Sequence, residues 1–345
     1  LEKHGQFGTR LSQEAASERY IHTKIHKNWF KFFKDEDSDI VEYLHDDGDQ
    51  IEPKYYIPII PMILVNGTEG VGNGFKSQIL NYDVSDIVKS LKEMIKFGKI
   101  KTPLMPKVTG WHGTVTKVDR QITFTGVLKI VHTTKLHITE LPSGYDNEKY
   151  KKHLNSLIEK KIIKDYENHS TEDKWDWIIE CPRDTTSLGH EKLLEVLGLI
   201  SKVTENFVCW GIDDSVPMTF NSPEALVEYW FAERVKLYEK SIQNQLKNIK
   251  AKIMKFNLRI KFIEWCLAND FRKLSKAEFI AKSVAGVKGL TVEYANDFVT
   301  MAIYKITTDE VEKLRKEMDV QLDILDELEN LTPLSMMEKD LKSLN

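Results

Sequence analysis

From Glu224 to Ala285 the chain contains neither proline nor glycine, and the pair Ser222-Pro223 stands immediately before this stretch. Serine as cap and proline at the first helical position make a strong helix start. Apolar residues then recur at Ile242, Leu246, Ile249, Ile253, Phe256, Ile260, Ile263 and Leu267. Alternating steps of four and three define a coiled-coil seam. Helical from 223 to 269, the segment forms a rod about 70 Å long, at roughly 1.5 Å per residue. A second helical stretch, 308–330, carries Val311, Leu314, Met318, Leu322, Leu325 and Leu328 and is the natural return partner. Between the two, "GVKGL" and "YANDFVTMAIYKI" supply a small helical knob over 271–306, with Phe298, Met301, Ile303 and Tyr304 near its end.

The remainder reads as α+β. Residues 14–33 read as a helix running into the aromatic stretch "WFKFF", followed by an acidic loop at 35–49. In "YYIPIIPMILVNG", Pro58 and Pro61 forbid a regular helix and demote any strand to an edge or broken one. "GTEGVGNG" places Gly67, Gly70, Gly72 and Gly74 within eight residues, which marks backbone that turns tightly or is closely approached. Asp83 or Ser85 caps a helix that stops at Gly98. From about 108 to 142, alternation with β-branched residues in "GTVTKV", "QITFTG" and "TTKLHITELP" predicts an antiparallel sheet. A helix in "DNEKYKKHLNSLIEKKII", a strand in "DWIIECP" and a helix in "GHEKLLEVLGL" complete the region near 220.

Composition narrows the class. With 345 residues, 41% apolar and 30% charged, the chain folds and holds about two or three domains. No stretch reaches the eighteen or so apolar residues of a membrane span, and nothing resembles a secretory signal, so neither a membrane nor an exported protein is expected. Cys181, Cys209 and Cys266 are widely spaced, which indicates neither a disulfide framework nor a zinc site and fits a reducing compartment. The opening "LEKHGQFGTR" lacks an initiator Met and reads as a chain cut inside a domain, with something upstream missing. Charge is uneven. Residues 1–34 carry seven bases against three acids, 35–52 nine acids and no base, 233–263 nine bases against two acids, and 307–345 five bases against eleven acids. Such runs are either solvated helix faces or a basic face for a polyanion.

Most motifs read blandly. "GVGNG" has no following Gly-Lys-Ser/Thr and is not a nucleotide loop. "DEDSD" lacks the Gly and terminal Glu of a calcium loop, and His22, His26 and His45 share no metal-ligand spacing. In "ASERYIHT", Arg19-Tyr20 is either a surface cation beside a packing aromatic or a nucleophilic phenol with its cation. A free tyrosine ionises near pH 10, so attack on phosphorus needs a neighbouring positive charge, which Arg19 can supply.

Three segments in order, "GQFGTR" with "ASERYIHTKI", then "EPKYYIPIIPMILVNGTEGVGNG", then "LHITELP", resemble the breakage-reunion region of type IIA DNA topoisomerases. The likeness is closer to the eukaryotic and T4-type phage branch, and to the phage medium subunit within it, than to bacterial gyrase. It continues through the Ser-Pro-started helix with Arg234 and Tyr238 to "LTPLSMMEKDL", covering nearly the whole chain.

The resemblance implies that Tyr20 attacks the DNA backbone and holds a 5′-phosphate, with Arg19 beside it. Val71, where the family usually has Ile, is the wedge between bases. Gly70 and Gly72 flank it without side chains that would clash, and Arg10 and Gln6 join the DNA-binding set. The implied fold is multidomain α+β: the C-terminal part of a winged-helix domain with the wedge loop (1–83), a β-rich tower (84–221), antiparallel coiled-coil arms (222–270 and 307–331), a helical C-gate tip (271–306) and a return helix (332–345). The implied function is ATP-dependent double-strand cleavage, duplex passage and religation by a homodimer closed at the C-gate. No metal is expected on this chain: Mg2+ and ATP belong to a large subunit carrying the toprim and ATPase domains. The setting is the cytoplasm, that of the host for a phage, or the nucleus for a eukaryotic or large-virus enzyme. An inactive DNA-bending fragment and a coiled-coil scaffold are the alternatives.

Overall fold

The computed structural model describes residues 1–211, 216–271 and 273–344. The chain divides into two compact units, one of Leu1–Asp35, Pro53–Glu233 and Asp340–Asn345, the other of Glu36–Glu52 and Arg234–Lys339.

The first unit is built on antiparallel sheets. Its four-stranded sheet runs in the order Asp165–Asn168, Trp177–Glu180, Lys135–Glu140, Val127–His132. The helix Asn147–Glu159, capped by the Asp146 carboxylate on the Lys149 N–H at 2.7 Å, lays Tyr150, Leu154 and Leu157 into one core with Leu136, Ile138, Trp177 and Ile179 of the sheet. A three-stranded sheet orders Ile200–Thr204, Gln121–Thr125 and Thr114–Val118. The alternation read from sequence therefore appears as strands, with Ile122 and Phe124 fully buried. Helix Val84–Phe97 is capped by Asp83 rather than Ser85 and ends at Gly98 in the left-handed conformation.

Two expectations fail near the N-terminus. Residues 14–33 are not a continuous helix: a 3-10 turn, Glu18–Tyr20, leads into a strand, His22–Lys24, and helix returns only at Trp29–Phe32. The strand pairs with Glu2–His4, so tertiary pairing has overridden the local reading. After Pro61, the apolar run forms a short helix, Met62–Asn66, and no strand; Ile59, Ile60 and Leu64 are fully buried.

The long helix is Pro223–Ala268, and in the second unit its part from Arg234 onward passes the return helix, Thr308–Glu329, in antiparallel fashion. Ile260 and Ile263 pack against Val311 and Leu314. Lys250 to Glu329 at 2.8 Å and Arg315 to Glu264 at 2.7 Å are consistent with this antiparallel alignment. The seam departs from expectation at two leucines. Leu267 is 48% exposed, because the last turns of the long helix bury a different stripe, Leu258, Phe262 and Cys266, under Val287, Leu290, Ala295 and Phe298. Leu322 is 41% exposed, because the steps from Leu314 through Met318 to Leu325 place half-buried Gln321 in the seam. The knob consists of helices Lys276–Gly286 and Val292–Val299. Its Phe298 is core, while Ile303 and Tyr304 are 77% and 78% exposed.

Candidate active site

Tyr20 ends the 3-10 turn, and its backbone N–H donates to the Ser17 carbonyl at 2.8 Å. The phenol side is open, with the residue 68% exposed. Arg19 is exposed as well and makes no ion pair among the described residues. The backbone around them is held closely. The ribbon pairs Glu2 with Lys24, Lys3 with Thr23 and His4 with His22. Gly5 follows at φ +102°, where a Cβ would stand 2.6 Å from the Tyr20 carbonyl oxygen, so only glycine lets the two backbones meet. Ala16 N–H donates to the Gln6 carbonyl at 2.9 Å, closing the intervening loop; the Gln6 side chain remains exposed.

Arg10 sits differently from the other cations of this segment. Its guanidinium donates to the Gly110 carbonyl and lies 3.5 Å from the Glu140 carboxylate, which is 1% exposed. Glu140 also accepts the His112 N–H at 3.0 Å. The resemblance counted Arg10 among DNA-binding residues; its charge is engaged within the protein.

Val71 lies on a hairpin of Thr68–Gly72 and Phe75–Ile79, opposite Lys76, and is 82% exposed. The turn is made by Gly74 at φ +84°. A Cβ at Gly70 would meet nothing within 4 Å, and one at Gly72 only the Phe75 carbonyl at 3.9 Å, so the space around Val71 is clear on both sides. The hairpin is rooted firmly. Gln78 and Asn206 exchange backbone hydrogen bonds of 3.0 and 2.8 Å, and Ser77 Oγ donates to the Val208 carbonyl at 2.7 Å. Below them the buried Glu205 accepts from Leu80 N–H at 3.1 Å and from the Tyr82 hydroxyl at 2.8 Å. Burial pushes the Glu205 carboxyl above its ordinary range, and burial with the neighbouring carboxylate pushes the Tyr82 phenol up.

Sequence reasoning did not single out Lys76, opposite Val71 on the hairpin, or the buried carboxylates Glu140 and Glu205 beside the candidate residues. A signal existed for Glu140. It lies two residues beyond Ile138 and four beyond Leu136, on the inward face of its strand, where a charge needs a partner. Among the described residues no group of three or more His, Cys, Asp or Glu could hold a metal ion, and the glycine-rich segment is a hairpin rather than a phosphate cradle. Among the described residues, then, Mg2+ finds no set of three such ligands. No helix among the described residues is long and apolar enough to cross a membrane.

The fold that carries the exposed Tyr20 and the hairpin of Val71 has a counterpart among solved structures. The DNA-binding, cleavage and re-ligation domain of Plasmodium falciparum topoisomerase II matches 99% of this chain with a TM-score of 0.83 and 26% identity, the match covering 51% of that chain. The model of the DNA gyrase/topoisomerase IV A-subunit family matches residues 1–342, and the chain belongs to that family. DNA topoisomerase 2 of Penicillium chrysogenum is 29% identical over 99% of the chain, and the DNA topoisomerase medium subunit of Enterobacteria phage T4 is 26% identical over 92%. The chain spans 24% of the length of the fungal relative and 72% of the phage one.

Proposed function

We propose that this chain is the DNA cleavage and religation part of a type IIA topoisomerase. The observation that carries the reading is Tyr20 itself: a phenol 68% exposed on backbone pinned from two sides, next to Arg19, whose charge meets no acid among the described residues. In the reaction, Tyr20 Oη attacks a backbone phosphorus. The P–O bond to Tyr20 forms as the bond to the 3′-oxygen breaks, and the tyrosyl proton is lost while the 3′-oxygen gains one. Arg19 offers charge to the phosphorane, where an oriented cation is worth more than in water. Resealing is the reverse attack by the 3′-hydroxyl, so the phosphotyrosyl link conserves the backbone bond energy.

Val71 inserts at a base step, with Gly70 and Gly72 clearing its path and the exposed Gln6 side chain and Lys76 meeting DNA nearby. Two protomers cut opposite strands and meet again at the tip through Ile303 and Tyr304. Mg2+ and ATP bind on a partner large subunit with toprim and ATPase domains. The bounds 1–83, 84–221, 222–270 with 307–331, 271–306 and 332–345 mark the functional pieces.

The test is trapping of a covalent DNA adduct in the assembled enzyme, with Mg2+ present, followed by mapping of the modified residue. An adduct on Tyr20 supports the reading. Bending of DNA without any adduct leaves the inactive-module alternative in its place.

A further inference from the structure

The loop between the N-terminal ribbon and Tyr20 is gripped at both ends. At one end Gly5 presses on the Tyr20 carbonyl, and the Gln6 carbonyl holds Ala16. At the other end Arg10, Leu11 and Gln13 are fastened to the sheet region. Leu11 packs on the core of the four-stranded sheet and its carbonyl accepts the Asn147 N–H at 3.2 Å. Gln13 Nε2 donates to the Tyr145 carbonyl at 3.3 Å. Arg10 reaches furthest in, to the Gly110 carbonyl and Glu140.

Glu140 is an unusual anchor. Its Oε2 faces both Arg10 and the His112 N–H, while its Oε1 is buried without a hydrogen-bond partner among the described residues. A carboxylate so placed is costly unless a cation compensates it, so Glu140 holds Arg10 where it is. The loop is then a strut whose far end is locked by this pair and whose near end abuts the nucleophile.

We propose that Arg10 and Glu140 are positioning residues for Tyr20, acting through the loop 5–16, and that Arg10 does not contact DNA. This rests on Tyr20 being the nucleophile. A reacting atom displaced by about 1 Å loses on the order of 100-fold in rate. A lost phosphate contact instead weakens binding evenly and lowers the salt slope by about one.

The experiment compares Arg10→Ala, Glu140→Gln and the double variant in the assembled enzyme on plasmid DNA. Single-turnover cleavage rates, DNA affinity at several salt concentrations and amide exchange over residues 17–22 are measured together. Both single variants should slow cleavage about 10- to 100-fold with affinity and salt slope unchanged. The double variant should be no slower than Arg10→Ala, amide exchange near Tyr20 should quicken, and Arg10→Lys should recover part of the rate.

Loss of affinity with a shallower salt slope in Arg10→Ala, and a silent Glu140→Gln, would overturn the proposal in favour of a direct phosphate contact. Normal cleavage and exchange in both variants would overturn it as well. A parent enzyme that forms no adduct on Tyr20 would instead sink the functional reading on which the proposal rests. Should Glu140→Gln fail to fold, Arg10→Ala and Arg10→Lys alone still separate the two outcomes through exchange and salt slope.

Discussion

Arg234 donates a 2.7 Å hydrogen bond to Asp37 across 197 residues of sequence, and both side chains are almost wholly buried. The guanidinium also stacks 4.0 Å from the centre of the Tyr238 ring, one turn further along the long helix. The acidic segment 35–52 is therefore no mere solvated loop. It sends one carboxylate inward to clasp the helix, and Lys240 Nζ reinforces it on the Ile40 carbonyl at 2.7 Å. Arg234→Ala should destabilise this unit by about 3–5 kcal/mol, since it removes the cation from a buried, hydrogen-bonded ion pair. Chemical denaturation monitored by circular dichroism measures this; a loss below about 1 kcal/mol would mean that water replaces the guanidinium.

Tyr20→Phe should eliminate the covalent adduct while leaving DNA affinity within about twofold and the melting temperature unchanged, because an exposed hydroxyl contributes little to folding. Adduct trapping and a thermal melt on the same preparation check it. Plasmid relaxation by the Phe variant would exclude Tyr20 as nucleophile.

Val71→Ala should reduce DNA bending more than affinity, because phosphate contacts supply most of the binding and the wedge supplies the kink. Val71→Ile adds one methylene into open space and should bend DNA at least as well. Energy transfer between dyes at the ends of a short duplex reports the angle. An unchanged angle in the Ala variant would make the exposed valine a bystander.

The Asp83 carboxyl is held at about 2, against 3.8 in the unperturbed group, first by the Lys107 hydrogen bond and then by those from Ser85. A depressed carboxyl stabilises the fold above its unfolded value and loses that contribution as pH falls through the folded one. The start of helix Val84–Phe97 should therefore loosen between about pH 4 and pH 2, and Asp83→Asn should flatten the dependence in that window. Amide exchange at Ser85 to Ile87 across the acid range would reveal it; identical profiles for parent and variant would contradict the assignment.

Ile303 and Tyr304 hold nothing in the knob's own core, being 77% and 78% exposed. Replacing both with Asp should leave the far-ultraviolet circular dichroism spectrum unchanged and convert the proposed dimer to a monomer in sedimentation at micromolar concentration. A dimer persisting under those conditions would place the main contact elsewhere.

What could be read from sequence followed from how local each signal was. The long helix and the sheet strands were legible because heptad spacing and two-residue alternation are carried within each segment. Leu322 was misplaced because a leucine and a glutamine stand side by side, and only the partner helix selects between a step of four and a step of three. The helix expected over 14–33 failed because His22 to Lys24 answer to residues 2–4, a pairing no local propensity encodes. The motifs single out Tyr20 and Val71 as candidates, but they do not disclose the partners of Arg10, since Gly110 and Glu140 lie 100 or more residues away.

The ion pairs along the arm bear on whatever slides past it. Lys250, Arg259 and Arg315 each lie within 4 Å of an acid on the facing helix. Two of the nine bases in the run 233–263, Lys250 and Arg259, are thus paired with acids of the return helix, and a paired charge projects a weaker field into solvent than a lone one. The positive charge of the long helix is therefore interrupted at Lys250 and Arg259, where the return helix supplies the opposite sign.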